Sequence, residues 1–209
     1  MMAAEPRLLE EDAGADPVAL FQRWFDEARR AGEPQPEAMA LATASTHALP
    51  SVRMVLLKGV DERGFVFHTD YESAKGRDLA VNPRAAMSFH WYLLHRQVRV
   101  AGTVGRVPAE ESDAYFQSRP RGAQVSAAAS PQSRPVTRSE LEAAVARVSA
   151  AHPAGVPRPP NWGGFRLSPD TLEFWQGRAD RLHDRLRYTR ERLGAPDLAP
   201  GWRIDRLAP

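Results

Sequence analysis

The chain has 209 residues, of which 43% are hydrophobic and 26% charged, a composition typical of a globular protein rather than a disordered one. It contains no cysteine, which excludes disulfide scaffolds, thiolate metal sites and cysteine nucleophiles. The formal net charge of +2 gives no electrostatic case for a nucleic-acid partner, and no apolar run approaches the ~20 residues that span a bilayer. The N-terminus lacks the pattern of a signal peptide, so we expect a cytoplasmic protein with no membrane partner.

The first predicted helix follows a loose N-terminal segment. Asp16 and Pro17 are typical of a helix start, with an acidic N-cap and a proline in the first turn. Apolar residues recur at helical spacing over 20–28, and Gly32 ends the helix. We therefore expect a flexible tail over residues 1–15 and a single domain over residues 16–209.

Short strands dominate the rest of the chain. Runs rich in β-branched and aromatic residues predict strands near 38–45, 52–60, 64–69, 85–92, 97–107, 163–168, 172–177 and 181–188. Short helices are predicted over 72–83 and 108–120, and a third begins at a capping box of Thr137 and Glu140. Residues 121–136 are predicted to be irregular, and 152–160 a surface linker. The pattern favours a mainly β protein with peripheral helices (α+β), a small β-barrel rather than βαβ units.

The common catalytic signatures are absent. The chain has no glycine-rich dinucleotide motif, no phosphate-binding loop, no hydrolase nucleophile elbow and no zinc-protease motif. Its six histidines are scattered without a helix-spaced pair, so we expect no metal site.

The segment from Arg53 to Lys58 is the first candidate binding element. The chain has only two lysines, Lys58 and Lys75, among 28 basic residues. In a strand, Met54, Leu56 and Lys58 would share one face, and Arg53, Val55 and Leu57 the other. Cations at both ends could hold anionic groups at adjacent sites; the alternative is an edge strand with charged ends.

Two further clusters point to an anionic ligand. Tyr115 and Arg119 are four residues apart on one predicted helix, which suits a phosphate; the alternative is a surface stack. If residues 181–185 form a strand, Arg181, His183 and Arg185 share a face and repel one another unless an anion binds there. If they form a helix, they are ordinary salt-bridge partners.

Nine segments, taken in chain order, resemble the pyridoxine (pyridoxamine) 5′-phosphate oxidases. They are RMVLLKG at 53–59, ESAKGRDL at 72–79, RQVRVAG at 96–102, YFQSRP at 115–120, SPQS at 130–133, WGGFRL at 162–167, EFWQGR at 173–178, RLHDR at 181–185 and WRIDRLAP at 202–209. Together they are highly specific for this family, although no single segment is.

The resemblance implies an FMN-binding split β-barrel and a homodimer with flavin sites at the subunit interface. The residues it implies for FMN are Arg53, Met54, Val55, Leu56, Leu57, Lys58, His68, Thr69, Lys75, Gln97, Gln132, Ser133, Trp175 and Arg185. The substrate residues it implies are Lys58, Tyr115, Arg119, Ala123, Arg181, Leu182 and His183, with Arg181 and His183 also catalytic. The implied reaction oxidises pyridoxamine or pyridoxine 5′-phosphate to pyridoxal 5′-phosphate, with O₂ as electron acceptor and H₂O₂ as product.

The chain departs from the family pattern mainly around the substrate. Ala123 stands where the family usually has serine, 126–128 reads Ser-Ala-Ala instead of Gly-Ala-Trp, and Ala74 replaces a basic residue. Residues 1–17 lack the family's basic, tyrosine-containing segment. The alternatives are a related oxidase of a phenazine-like dihydro-aromatic compound, whose relatives tend to lose Lys58 and the YFxSRP motif, and a non-catalytic flavin or pyridoxal-phosphate binder, which an intact RLHDR argues against.

Overall fold

A computed structural model describes residues 7–191 and 201–209. The helices in these residues are α1 (Glu10–Ala13), α2 (Pro17–Arg30), α3 (Ala74–Val81), α4 (Ala109–Ser118), α5 (Arg121–Ala129) and α6 (Arg138–Ala151), with a 3₁₀ turn at Tyr92–Leu94. The strands are β1 (Ala38–Ala44), β2 (Pro50–Leu56), β3 (Gly59–Asp61), β4 (Gly64–Asp70), β5 (Arg84–Trp91), β6 (Arg96–Arg106), β7 (Trp162–Gln176), β8 (Asp184–Arg190) and β9 (Trp202–Arg206). Within the described residues, no helix is long and apolar enough to span a bilayer.

The nine strands form one antiparallel sheet that branches at β7. The order is β2-β1-β5-β6-β7-β4-β3, and β8 also pairs with β7, followed by β9. The first half of β7 pairs with β4 and its second half with β8, while β6 runs along its other edge. The predicted mainly β split-barrel fold with peripheral helices is confirmed.

Helix α2 closes one side of the barrel. As predicted, Asp16 is the N-cap, and its side chain accepts a hydrogen bond from the Val18 N–H at 2.8 Å. Phe21 is fully buried, with its ring 4.8 Å from Phe65 and 5.0 Å from Phe89 between centroids. Burying each such ring contributes about 1.5–3 kcal/mol, so this apolar face determines where the helix packs.

Residues 7–15 differ from the predicted flexible tail. Leu8 is 4% exposed, its N–H donates to Asp184, and the Tyr188 hydroxyl donates to the Gly14 carbonyl at 2.8 Å. The segment has too few residues for a periodic pattern, so tertiary contacts order it, with the C-terminal strands and with Arg23 of helix α2, which donates to the Asp12 carbonyl at 2.8 Å. The other residues of the predicted tail, 1–6, lie outside the described residues.

Two local predictions about the second half are also wrong. Residues 121–129, predicted as irregular, form α5, because Val125 packs with Phe116, Val156 and Trp162 in a second small core. The strands predicted over 163–168 and 172–177 are one strand, β7, which continues through a bulge opposite Gly102. A Cβ on Gly102 would lie 2.0 Å from the Ser168 carbonyl oxygen, so glycine is required at this crossing.

Candidate functional site

A cavity of about 970 Å³ lies between the edge strand β2, strand β4 and the α4–α5 region. It brings together thirteen of the predicted site residues: Arg53, Met54, Val55, Leu56, Lys58, His68, Thr69, Lys75, Tyr115, Arg119, Ala123, Gln132 and Ser133. They span 81 positions of the chain, so the folded sheet, rather than local spacing, assembles them.

Strand β2 forms one wall, and its side chains alternate as predicted. Arg53 and Val55 are partly buried, whereas Met54 and Leu56 are exposed. The Arg53 guanidinium donates to the Thr43 hydroxyl at 2.7 Å and to the Leu41 carbonyl oxygen at 3.2 Å, which fixes it against β1. Within the predicted run from Arg53 to Lys58, Leu57 is the exception, because its side chain is 6% exposed and packs in the core instead of lining the cavity.

Lys75 is a buried cation at the floor of the cavity. It is 6% exposed, and its Nζ donates to the Thr69 hydroxyl at 3.0 Å. Thr69 in turn donates to the Gln132 side-chain oxygen at 3.1 Å. Burial lowers the pKa of Lys75, and the positive charge of Arg53 lowers it further. Asp70 partly offsets this effect, and Asp78 lies 3.9 Å from the Arg53 guanidinium. Two cations that line one cavity can still bind an anion together.

Tyr115 and Arg119 are predicted to share one helix, but helix α4 ends at Ser118, one residue before Arg119. Arg119 is the extended C-cap, with φ −73° and ψ 147°. Tyr115 and Arg119 nevertheless both line the cavity, and the Arg119 guanidinium lies 4.7 Å from the Trp162 ring centroid. Within the described part of the chain, Arg119 Nη1 is buried with no hydrogen-bond partner. Burial lowers the pKa of this arginine.

The His68 ring packs against two aromatic rings, which also contact each other, with 6.2 Å between the Tyr115 and Trp162 centroids. The His68 ring centroid is 4.0 Å from that of Tyr115 and 5.4 Å from that of Trp162. Burial, followed by the positive charges of Arg119 and Lys58, lowers the pKa of His68 to about 4. The imidazole is therefore neutral near pH 7 and can donate one N–H.

The remaining predicted residues form a second group away from this cavity. Gln97, Trp175 and Arg185 lie directly opposite one another on the adjacent strands β6, β7 and β8. His183 packs against Trp175, with ring centroids 4.6 Å apart and planes tilted by 45°. Neither this group nor Arg181 and Leu182 line the cavity.

The turn before β8 differs from the predicted strand over 181–188. The strand begins only at Asp184, and Arg181 has a left-handed conformation with φ +62°. The Arg178 N–H donates to His183 Nδ1 at 3.1 Å, and the Leu182 N–H donates to the Asp180 side chain. The prediction that Arg181, His183 and Arg185 share one face of a strand is therefore wrong. Arg181 and His183 lie in a structured turn, whereas Arg185 lies on the strand.

Trp162 is a site residue that the sequence analysis did not identify individually. It lines the cavity and stacks on His68 and beneath Arg119. Its position at the start of the segment WGGFRL was the available signal. No group of three or more histidine, aspartate or glutamate side chains placed for a metal ion occurs in residues 7–191 and 201–209.

Comparisons with known proteins extend over nearly the whole chain. Residues 25–176 match the family described as pyridoxamine 5′-phosphate oxidase. Residues 162–209 match the pyridoxine 5′-phosphate oxidase C-terminal dimerisation region, which supports the predicted homodimer.

Named relatives and a solved structure are also similar to this chain. The pyridoxine/pyridoxamine 5′-phosphate oxidase of Bordetella petrii is 55% identical over 97% of this chain and 93% of its own. That of Burkholderia orbicola is 55% identical over 96% and 92%. The crystal structure of PhzG from Burkholderia lata 383, in complex with tetrahydrophenazine-1-carboxylic acid, has a TM-score of 0.90 at 32% identity and covers 99% of this chain and all of its own. The chain therefore belongs to the pyridoxamine 5′-phosphate oxidase family, as its motifs predict.

Proposed function

We propose that this chain is an FMN-dependent oxidase that converts pyridoxamine or pyridoxine 5′-phosphate to pyridoxal 5′-phosphate, with O₂ as electron acceptor and H₂O₂ as product. The observation behind this proposal is the convergence of Lys58, Tyr115 and Arg119 on the cavity that also contains Arg53 and Lys75. The first three residues can bind a substrate phosphate, and Arg53 and Lys75 can bind a cofactor phosphate. The relatives that are 55% identical carry the name of this activity.

FMN is the cofactor of this family, and the cavity residues fit it. FMN has one terminal phosphate, which suits the paired cations Arg53 and Lys75. Thr69, Gln132 and Ser133 add neutral polar groups on the same side of the cavity. When bound, the flavin supplies the two-electron acceptor for the reaction, and the protein's part is binding and orientation.

The substrate phosphate would bind between Lys58 and Arg119. Both side chains line the cavity, and Arg119 Nη1 is among the buried described atoms that lack a partner, so a donor is available for an incoming oxygen. Tyr115 can add a hydroxyl donor. Hydrogen bonds to charged groups are stronger than neutral ones, so the two cations would supply most of the affinity.

Arg181 and His183 would act on the pyridine ring. Because the Arg178 N–H donates to His183 Nδ1, the neutral imidazole has its proton on Nε2 and presents a donor there. The Arg181 guanidinium would stabilise negative charge that develops near the reacting carbon. Both residues belong to the second group, outside the cavity of their own chain.

This separation supports a site completed by a second copy of the chain. Val52 and Met54 project from edge strand β2 beside the cavity and are 68% and 65% exposed. An apolar edge of this kind is a surface that natural proteins cover. In the proposed homodimer, one subunit provides the cavity, and the other provides Gln97, Trp175, Arg185 and the Arg181–His183 turn. Action in the cytoplasm stays a prediction.

A second candidate is oxidation of a phenazine-like dihydro-aromatic compound, and the PhzG structure contains a related partly reduced acid, tetrahydrophenazine-1-carboxylic acid. Two small side chains, Ala123 and Ala127, form part of the cavity wall. The family usually has serine at the position of Ala123. The retained Lys58, Tyr115 and Arg119 favour a phosphorylated substrate over this alternative.

Turnover by the purified, FMN-loaded protein tests the proposal. We expect H₂O₂ and pyridoxal 5′-phosphate to form from pyridoxamine 5′-phosphate, with little product from unphosphorylated pyridoxamine. Turnover of tetrahydrophenazine-1-carboxylic acid without turnover of the phosphorylated vitamers would favour the second candidate.

A further inference from the structure

The side chain of Glu173 holds Arg185 from the neighbouring strand. Glu173 lies on β7, and its side chain is 11% exposed. Its Oε1 accepts hydrogen bonds from Arg185 Nε at 3.0 Å and from Arg185 Nη2 at 2.7 Å. Arg185 Nη1 donates to the Ala208 carbonyl at 2.8 Å. These contacts fix the plane of the guanidinium.

Arg185 keeps hydrogen-bonding capacity in this arrangement. A guanidinium has five N–H donors, and the contacts to Glu173 and Ala208 use three of them. One N–H on each terminal nitrogen remains for a ligand. These contacts therefore orient the Arg185 guanidinium and leave two of its N–H groups for a ligand.

Glu173 also reduces the repulsion within a cluster of arginines. Arg99 Nη1 lies 3.6 Å from Glu173 Oε2, and Arg187 stands directly opposite Glu173 in the β7–β8 ladder. In the described part of the chain, Arg187 Nε is buried without a hydrogen-bond partner. One carboxylate thus faces three guanidinium groups, and its removal would leave three mutually repelling cations.

The position of Glu173 connects this cluster to the second group of site residues. It is two residues before Trp175 on the same face of β7. Trp175 is directly opposite both Gln97 and Arg185. Of these three residues only Arg185 is charged, and the Glu173 carboxylate is placed to orient its side chain.

We propose that Glu173 is a positioning residue that holds Arg185 in the orientation that binds FMN. This inference rests on the proposed function, which assigns Arg185 to the flavin site. Without the carboxylate, Arg185 would lose two charge-assisted hydrogen bonds and turn away from Arg99 and Arg187. FMN would then bind to an arginine that must first be reoriented.

The first experiment compares the FMN dissociation constants of two glutamine variants. Glu173→Gln keeps the side-chain volume and removes the charge, and we expect it to weaken FMN binding about 5- to 20-fold. Glu111→Gln is the matched control, because Glu111 accepts two hydrogen bonds from Arg166, at 2.9 and 3.1 Å, and does not line the cavity. We expect the control to bind FMN as the unmodified protein does. Equal loss in both variants would overturn the proposal.

A double-mutant cycle separates positioning from general destabilisation. If Glu173 acts through Arg185, Glu173→Gln will weaken FMN binding less than about 2-fold in an Arg185→Met background. The same loss in both backgrounds would overturn the proposal. Glu173→Asp, which keeps the charge but shortens the side chain, provides the test if the glutamine variant does not fold, and we expect an intermediate loss that Arg185→Met also abolishes.

The cycle also distinguishes failure of this inference from failure of the proposed function. If Arg185→Met binds FMN normally, the assignment of Arg185 to the flavin site is wrong, and the inference falls with it. If Arg185→Met weakens binding but Glu173→Gln does not, only the positioning role is overturned.

Discussion

The imidazole of His68 stacks on the phenol ring of Tyr115, with 4.0 Å between centroids and 26° between planes. Strand β4 and helix α4 supply the two rings, which meet at the wall of the cavity. Both ring nitrogens of His68 are buried and have no hydrogen-bond partner in the residues that the structure describes. A neutral histidine beside two cations is therefore available to a ligand, and it affects the stability of the fold.

We expect His68 to make the protein less stable in acid. Its pKa of about 4 in the folded state is below the ordinary 6.5, so the unfolded chain binds more protons between these values. Stability should be retained above about pH 6.5 and decline as the pH falls towards 4. Allowing for partial solvent screening, the loss between pH 7.5 and pH 5 is about 1–2 kcal/mol.

Urea unfolding of the protein and of His68→Phe at both pH values measures this effect. Phenylalanine keeps the stack and removes the titrating group, so the variant should lose less stability on acidification. An identical pH dependence of the free energy of unfolding in both proteins would contradict the assignment.

Arg119→Met should raise the KM for pyridoxamine 5′-phosphate. A lost hydrogen bond to a charged group costs about 1.5–3 kcal/mol, which corresponds to about 10- to 150-fold in affinity. Arg121→Met is the control, because Arg121 donates to the His152 and Ser149 carbonyls on the outer surface. Steady-state kinetics of both variants and the unmodified protein with pyridoxamine 5′-phosphate, and of the unmodified protein with pyridoxine and its phosphate, provide the check. Equal turnover of the two by the unmodified protein would rule out the phosphate site.

Ala123→Ser should lower the KM for pyridoxamine 5′-phosphate several-fold with little change in FMN affinity. Ala123 lines the cavity near Arg119, and one added neutral hydrogen bond contributes about 0.5–1.5 kcal/mol. Gly122→Ser is the control, since a Cβ at Gly122 would meet no described atom within 4 Å apart from its chain neighbours and the backbone of its own helix. Unchanged or poorer kinetics for Ala123→Ser would indicate a site shaped for another substrate.

Val52→Asp should weaken both dimerisation and FMN binding. Val52 lies on the exposed edge strand β2 and lines the cavity, and a carboxylate there would be desolvated in the proposed interface. Val81→Asp is the control, because Val81 is 58% exposed on helix α3 and does not line the cavity. Analytical ultracentrifugation and FMN titration measure the two effects. Tight FMN binding by a monomeric variant would contradict a site that needs two subunits.

Local patterns in the sequence predicted several elements correctly. Helix α2 has the predicted N-cap at Asp16, and α6 begins at the capping box of Thr137 and Glu140. The alternation from Arg53 to Leu56 is present on β2. These features depend on residues within about one turn or one strand of each other, so periodicity and capping chemistry are sufficient to identify them.

Apart from the pair Tyr115 and Arg119, the spacing of residues did not predict which site residues meet; that expectation came from resemblance to a family. Lys75 and Gln132 are 57 positions apart and meet through Thr69, because β4 and the loop after α5 converge there. Arg181 leaves the strand pattern because contacts of Arg178 and Asp180 stabilise the turn before β8.

The amino-acid sequence by itself determined the helix starts, the strand-rich character and the candidate cations. The tertiary structure decided that residues 7–15 pack against the C-terminal strands, that 121–129 form a helix, and that the candidates divide into a cavity group and a β6–β7–β8 row. The role of Glu173 is likewise decided by the tertiary structure, because its contacts with Arg185 and Arg99 depend on the register of three strands. Register is determined by the burial of one face over the whole sheet, so no single segment encodes it.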